Sequence, residues 1–287
     1  MRPEVCSFFH QGSNTIAHLV WDPSTRDAAI IDSCLDYDGA SGRTETSFAD
    51  TLIEAVEARE LRLVWILETH AHADHLSAAP HLRDHFGAPI GIGERITEVQ
   101  ALFKDIYNLE RTFLPDGSQF DRLFADGERF HLGQLMVEVK HTHGHTPADV
   151  TYVIGDTAFV GDSLFMPDAG TARADFPGGS AETLYQSTQR ILSLPGETRL
   201  FMFHDYGAGG SRDIRWETTV EEQRAKNIHV GEGMSCEKFV TLRQQRDATL
   251  GMPSLILPSI QVNIRAGHLP PAEDNGTRYL KIPLNTL

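Results

Sequence analysis

The run His70-Ala71-His72-Ala73-Asp74-His75 constrains this chain more than any other feature, because it crowds three imidazoles and a carboxylate into one short stretch. An apolar segment, Leu63-Val64-Trp65-Ile66-Leu67, comes just before it and reads as a buried strand. Neutral imidazole and carboxylate are favoured ligands of zinc, iron and manganese, and a turn at a strand's carboxyl end can aim several of them at one point. The alanines between them keep the stretch slim. A chain built this way must deliver a buried strand to a metal site.

Further ligand-type residues follow in the same manner. His141-Thr142-His143-Gly144-His145-Thr146-Pro147 comes after the apolar run Leu135-Met136-Val137-Glu138-Val139, with a glycine that lets the backbone turn sharply. We read His145 as the metal ligand of this group, and His141 and His143 as loop residues or donors behind the metal. Asp162 follows the strand Ala158-Phe159-Val160, and His204-Asp205 follows Leu200-Phe201-Met202-Phe203, so four strand ends offer ligands to one rim. Open α/β sheets place their sites beyond the carboxyl ends of strands.

β-branched apolar runs alternating with amphipathic helical patterns indicate a layered α/β domain. Ala28-Ala29-Ile30-Ile31 and Val150-Thr151-Tyr152-Val153-Ile154 read as further strands. One helix is expected from Ser47 as N-cap, carrying Phe48, Leu52 and Val56, and another near Ser180, carrying Leu184, Ile191 and Leu192. Residues 167–179 and 205–210 read as loops. Beyond 215 the alternation weakens to one helix, Glu217 to Asn227, and a Pro-rich tail from Pro253 to Pro283. The expected organisation is a catalytic domain over 1–215 and a C-terminal extension over 216–287 packed on it.

The formal charge of −15 and pI near 5.3 argue against nucleic acid as a partner, because phosphate backbones need basic surfaces. Cys6, Cys34 and Cys236 lie far apart and form neither a disulfide framework nor a thiolate metal site. With no apolar run long enough to span a bilayer and no apolar leader, the expectation is a cytoplasmic protein without a membrane partner.

HxHxDH at 70–75, GHT at 144–146, GD at 161–162 and HD at 204–205 resemble, in content and order, the metallo-β-lactamase superfamily. That resemblance implies an α/β fold, a four-layer αβ/βα sandwich with the metal site at one edge between two sheets. Arg173-Ala174-Asp175-Phe176, Thr183-Leu184-Tyr185, Leu194-Pro195-Gly196, His204-Asp205-Tyr206, Thr219-Val220-Glu221-Glu222 and Asn263-Ile264-Arg265-Ala266-Gly267 are similar to segments of the glutathione persulfide dioxygenases, also called sulfur dioxygenases.

This second resemblance implies one Fe(2+) per chain on His70, His145 and Asp162, which are then the catalytic residues. Glutathione persulfide, O2 and water would give glutathione and sulfite. His72, Asp74, His75 and His204 would support the site, or bind a second metal as in dinuclear hydrolases. Arg173 would contact glutathione, with Tyr206, Arg224 and Lys226 as further candidates. Many relatives have Pro in place of His143. The alternatives are a hydroxyacylglutathione hydrolase with a dinuclear or Zn(2+) centre, and a non-catalytic metal-binding sensor or interaction module. A homo-oligomer such as a dimer is compatible with either enzyme.

Overall fold

Successive side chains on the central strands feed two different cores, and that alternation sets the layers. In the strand Asp27–Ile31, Ala28 and Ile30 pack against helices while Ala29 and Ile31 pack toward a second sheet. Past the strand Thr157–Phe159 the pattern repeats, with Ala158, Leu200 and Met202 facing helices and Phe159, Phe201 and Phe203 facing the first sheet. A strand puts alternate residues on opposite faces, so a strand apolar at every position lies in a sheet covered on both sides.

A computed structural model describes residues 2–286. One six-stranded sheet runs in the order Glu4–His10, Thr15–Trp21, Asp27–Ile31, Arg62–Leu67, Ile90–Gly93 and Arg122–Phe124. The other six-stranded sheet runs Arg129–Leu132, Leu135–His141, Val150–Ile154, Thr157–Phe159, Arg199–Phe201 and Glu217–Thr219. Helices Ser47–Ala58, Ala79–Phe86 and Ile96–Ile106 contribute to the core outside the first sheet, and Ala181–Leu192, Val220–Lys226 and Cys236–Asp247 flank the second. This is the four-layer αβ/βα sandwich. Among the described residues no helix is long and apolar enough to cross a membrane.

The strands read from sequence form within a residue or two of their expected bounds, and Ser180 caps its helix by accepting from the Thr183 N–H. Three expectations are corrected. Thr46, not Ser47, occupies the N-cap position of the first helix. The helix expected from Glu217 begins at Val220, because Glu217–Thr219 pairs with Arg199–Phe201 and the Thr219 hydroxyl then caps the helix at Glu222 N. The Pro-rich tail contains a helix, Ile256–Asn263, with Ile256 and Ile260 buried in the first core. Pro258 sits in its first turn, where a missing N–H costs little. The helix Cys236–Asp247, absent from the sequence reading, is capped by Ser235 and buries Phe239.

Candidate metal centre

The strand Arg62–Leu67 ends in the loop 68–75, and Asp32 at the end of the neighbouring strand fixes its start. Asp32 accepts from the Thr69 N–H at 2.7 Å and from the Thr69 hydroxyl at 2.6 Å. With its proton committed to Asp32, the Thr69 oxygen accepts from His70 Nδ1 at 2.9 Å, leaving His70 Nε2 a bare lone pair. That atom is buried and has no hydrogen-bond partner. Ala71 and Ala73 pack into the first core.

His145 is presented similarly. Gly144 has φ +138°, and a Cβ there would meet the Leu184 backbone at 2.3 Å, so only glycine permits this approach. His145 Nδ1 donates to the Arg173 carbonyl at 2.8 Å, and Nε2 lies 3.6 Å from Asp162 Oδ2. Asp162, on the one-turn helix Gly161–Ser163, also lies 4.0 Å from His70 Nε2, and its Oδ1 is buried without a hydrogen-bond partner. Donor atoms of His70, His145 and Asp162 all fall within 4.8 Å of one another. Ligands bound at about 2.1 Å to one ion stand about 3 to 4 Å apart, so the three residues fit a single metal.

His72, Asp74 and His75 form a second compact group. His204 links the two, with Nε2 3.4 Å from Asp162 Oδ1 and 3.5 Å from Asp74 Oδ2, while its Nδ1 donates to the Asn14 carbonyl at 3.1 Å. His72 Nε2 faces Asp32 at 3.2 Å and Glu68 at 3.6 Å. Burial lowers the pKa of the His70 imidazole well below its ordinary value, which favours the neutral ligand form. Burial would lower His72 too, but the Asp32 and Glu68 carboxylates hold it well above.

The C-terminal helix braces this loop. Asn263 Nδ2 donates to the His72 and His75 carbonyls, both at 2.8 Å, and its Oδ1 accepts from the Ser77 N–H at 2.8 Å.

A cavity of about 560 Å³ opens onto Asp74, His145, Asp162 and His204. Phe165, Phe176, Ile228 and Leu250 supply apolar wall, and Arg173, Tyr206, Arg243 and Arg246 supply polar groups. Arg173 is already paired with Asp175 at 2.5 Å and rests over the Phe176 ring. Tyr206 stands at the mouth, its ring parallel to His204. Arg224 and Lys226 are not brought to this cavity: Arg224 binds the Leu192 and Leu194 carbonyls, and Lys226 pairs with Glu222 at 3.0 Å on the surface. His141 donates to the Phe124 carbonyl, and His143 lies outside the ligand groups. Sequence reasoning missed Asp32, Asn14, Thr15, Arg243, Arg246 and the bracing role of Asn263. Only the placement of Asn263 in a family-like segment hinted at one of them.

A buried histidine and carboxylate cluster at the edge of an αβ/βα sandwich, opening on a lined cavity, defines a metal-dependent enzyme. The family model described as Metallo-beta-lactamase superfamily matches residues 16–204, well over half of the chain. This chain belongs to the metallo-β-lactamase superfamily. It is 52% identical to the Probable metallo-hydrolase of Burkholderia pseudomallei over 98% of each chain. It is 31% identical to Persulfide dioxygenase ETHE1, mitochondrial, of Bos taurus, over 90% of this chain and 87% of that protein. The crystal structure of ETHE1 from Myxococcus xanthus superposes with TM-score 0.73 at 28% identity, covering 92% of this chain and 100% of that one. Some relatives are longer: the chain spans 65% of the Beta-lactamase hydrolase-like protein of Xylella fastidiosa, at 54% identity.

Proposed function

We propose that this protein is a persulfide dioxygenase, oxidising glutathione persulfide with O2 and water to sulfite and glutathione on one iron(II) per chain held by His70, His145 and Asp162. The observation that carries the reading is the convergence of His70, His145 and Asp162, the two-histidine, one-carboxylate donor set of non-haem iron oxygenases, with His145 and Asp162 lining the cavity. The likeness, over 90% of this chain, to proteins named persulfide dioxygenase supports it.

Iron held by His70, His145 and Asp162 would supply the redox and Lewis-acid chemistry that the reaction of a persulfide sulfur with dioxygen needs. The chain's own residues do the rest. Thr69 and the Arg173 carbonyl fix the ring orientations of His70 and His145. Phe165, Phe176 and Leu250 keep water from the sulfur end of the substrate. Arg246 lines the cavity, carries no ion pair among the described residues, and is the proposed anchor for a glutathione carboxylate. Arg173 serves the wall and holds His145 through its carbonyl.

A second reading is a dinuclear hydroxyacylglutathione hydrolase, favoured by the nearness of His204 to both Asp162 and Asp74 and by the 52% identical relative named a metallo-hydrolase. Anaerobic metal analysis followed by oxygen-electrode and thioester assays separates the two. About one iron per chain and oxygen uptake with glutathione persulfide are expected. Tightly bound zinc with no oxygen uptake overturns the dioxygenase reading, and two metals with thioester cleavage establish the hydrolase.

A further inference from the structure

A second cavity, of about 430 Å³, shares no lining residue with the first and has His75 in its wall, so neighbouring residues Asp74 and His75 face different cavities. His10 lines this second cavity, and an unbroken file of hydrogen bonds leads from it to the metal pocket. His10 Nδ1 lies 2.7 Å from Ser13 Oγ, the Ser13 hydroxyl donates to Thr15 Oγ1 at 2.8 Å, and the Thr15 hydroxyl donates to Asp74 Oδ2 at 2.9 Å. At the outer end His10 Nε2 faces Asp36 Oδ1 at 3.1 Å.

The surroundings hold His10 in place. A Cβ on Gly12 would come within 3.0 Å of the His10 ring, so glycine leaves it room, and Phe48 packs edge-on against it at 4.8 Å. Asp36 is fixed from behind by the Phe48 N–H at 2.8 Å. Thr15 is fully buried, whereas the Asp36 side chain is 31% exposed, so the file runs from interior to solvent. Asp38, Arg43 and Glu45 are the other charged groups lining this cavity.

We propose that Thr15, Ser13 and His10 are a proton conduit between the metal pocket and the second cavity, with the His10 imidazole as outer acceptor and Asp36 as its counter-charge. The need for one rests on the proposed oxidation. Glutathione persulfide, O2 and water yield glutathione, sulfite dianion and two protons, and these must leave while substrate fills the first cavity. The Ser13 and Thr15 hydroxyls donate inward at rest, so each first rotates to donate outward, then passes its own proton outward as it takes the one behind it, and so ends donating inward again. One O–H bond breaks as the next forms, electron pairs stay on their atoms, and the net change is one proton moved from the metal pocket to His10 Nδ1. From there it passes to solvent.

The test compares wild type with His10→Ala, Ser13→Ala and Thr15→Val, with Ser41→Ala, in the same cavity but outside the file, as control. In weakly buffered solution His10→Ala should slow turnover by about a hundredfold, with metal content unchanged and a larger solvent deuterium isotope effect. Added imidazole, the group removed, should restore its rate and leave wild type unaccelerated. Ser41→Ala should behave as wild type. Independently of activity, nitrogen NMR of the metal-free protein should show Ser13→Ala shifting the His10 Nδ1 resonance. No loss of rate, a loss that imidazole fails to restore, or an unshifted Nδ1 overturns the conduit. Wild-type oxygen uptake judges the functional reading separately, since thioester hydrolysis also frees a proton and can serve as the monitored turnover.

Discussion

Four imidazoles at the centre, His70, His75, His145 and His204, have Nδ1 facing an oxygen of the protein, and that decides which nitrogen each can offer. A neutral imidazole has one donor and one acceptor nitrogen, so committing the Nδ1 proton to an acceptor leaves Nε2 as the ligand atom. The same bookkeeping separates the histidines of the 141–145 loop. His141 is engaged with the Phe124 carbonyl, His143 lies outside the ligand groups, and His145 alone of the three joins His70 and Asp162. Replacing His145 by Ala should therefore abolish stoichiometric metal, read by elemental analysis after gel filtration. His143→Ala should retain it. Equal losses in both variants would refute the assignment of His145.

At the scale of elements, the centre is held from both ends of the chain. The turn between the strands Glu4–His10 and Thr15–Trp21 brings the Asn14 carbonyl to His204 and the Thr15 hydroxyl to Asp74. The helix Ile256–Asn263 brings one amide side chain to three backbone groups of the 72–77 loop. Truncating Asn263 to Ala leaves two buried carbonyls and an N–H without partners, each costing about 1 to 3 kcal/mol. The expected outcome is a loss of about 3 kcal/mol or more in denaturant unfolding, with weaker metal retention against a chelator. A variant as stable as wild type, with unchanged metal affinity, would mean the helix merely covers the loop. The ligands themselves were legible in the sequence because metal chemistry demands particular side chains at strand ends, and the strands because buried β-branched runs have few other uses. Asn263, Asn14 and Thr15 were not, since their roles arise from backbone carbonyls and hydroxyls meeting across more than fifty residues of chain. The helix Ile256–Asn263 was hidden for a related reason: it is buried on most sides, so it lacks the polar stripe that marks a surface helix, and its one proline, Pro258, reads as a breaker.

The whole molecule depends on the two sheets staying in register, and His18 lies at that junction. It sits on the strand Thr15–Trp21 of the first sheet, its ring against Phe159, Phe201 and Phe203 of the second sheet and its continuation. Its Nε2 donates to the Met202 carbonyl at 3.0 Å and its Nδ1 accepts from the Ser7 hydroxyl at 2.9 Å, which satisfies the neutral ring and leaves no place for a second proton. Burial accordingly lowers its pKa from the ordinary 6.5 to about 4, against a smaller opposing effect of the Met202 carbonyl. Between those two values the unfolded chain binds a proton that the folded protein refuses, so stability rises with pH across the window. The stabilisation is complete above about pH 6.5 and is lost as pH falls toward about 4, amounting to about 3 kcal/mol in all. Urea midpoints measured from about pH 7 down to about pH 5 should fall more steeply for wild type than for His18→Gln, in which the titrating group is gone. Metal release on acidification contributes to both proteins and cancels in the difference. Parallel slopes would mean that His18 accepts its proton in the folded state, and that the sandwich opens at this seam before it unfolds.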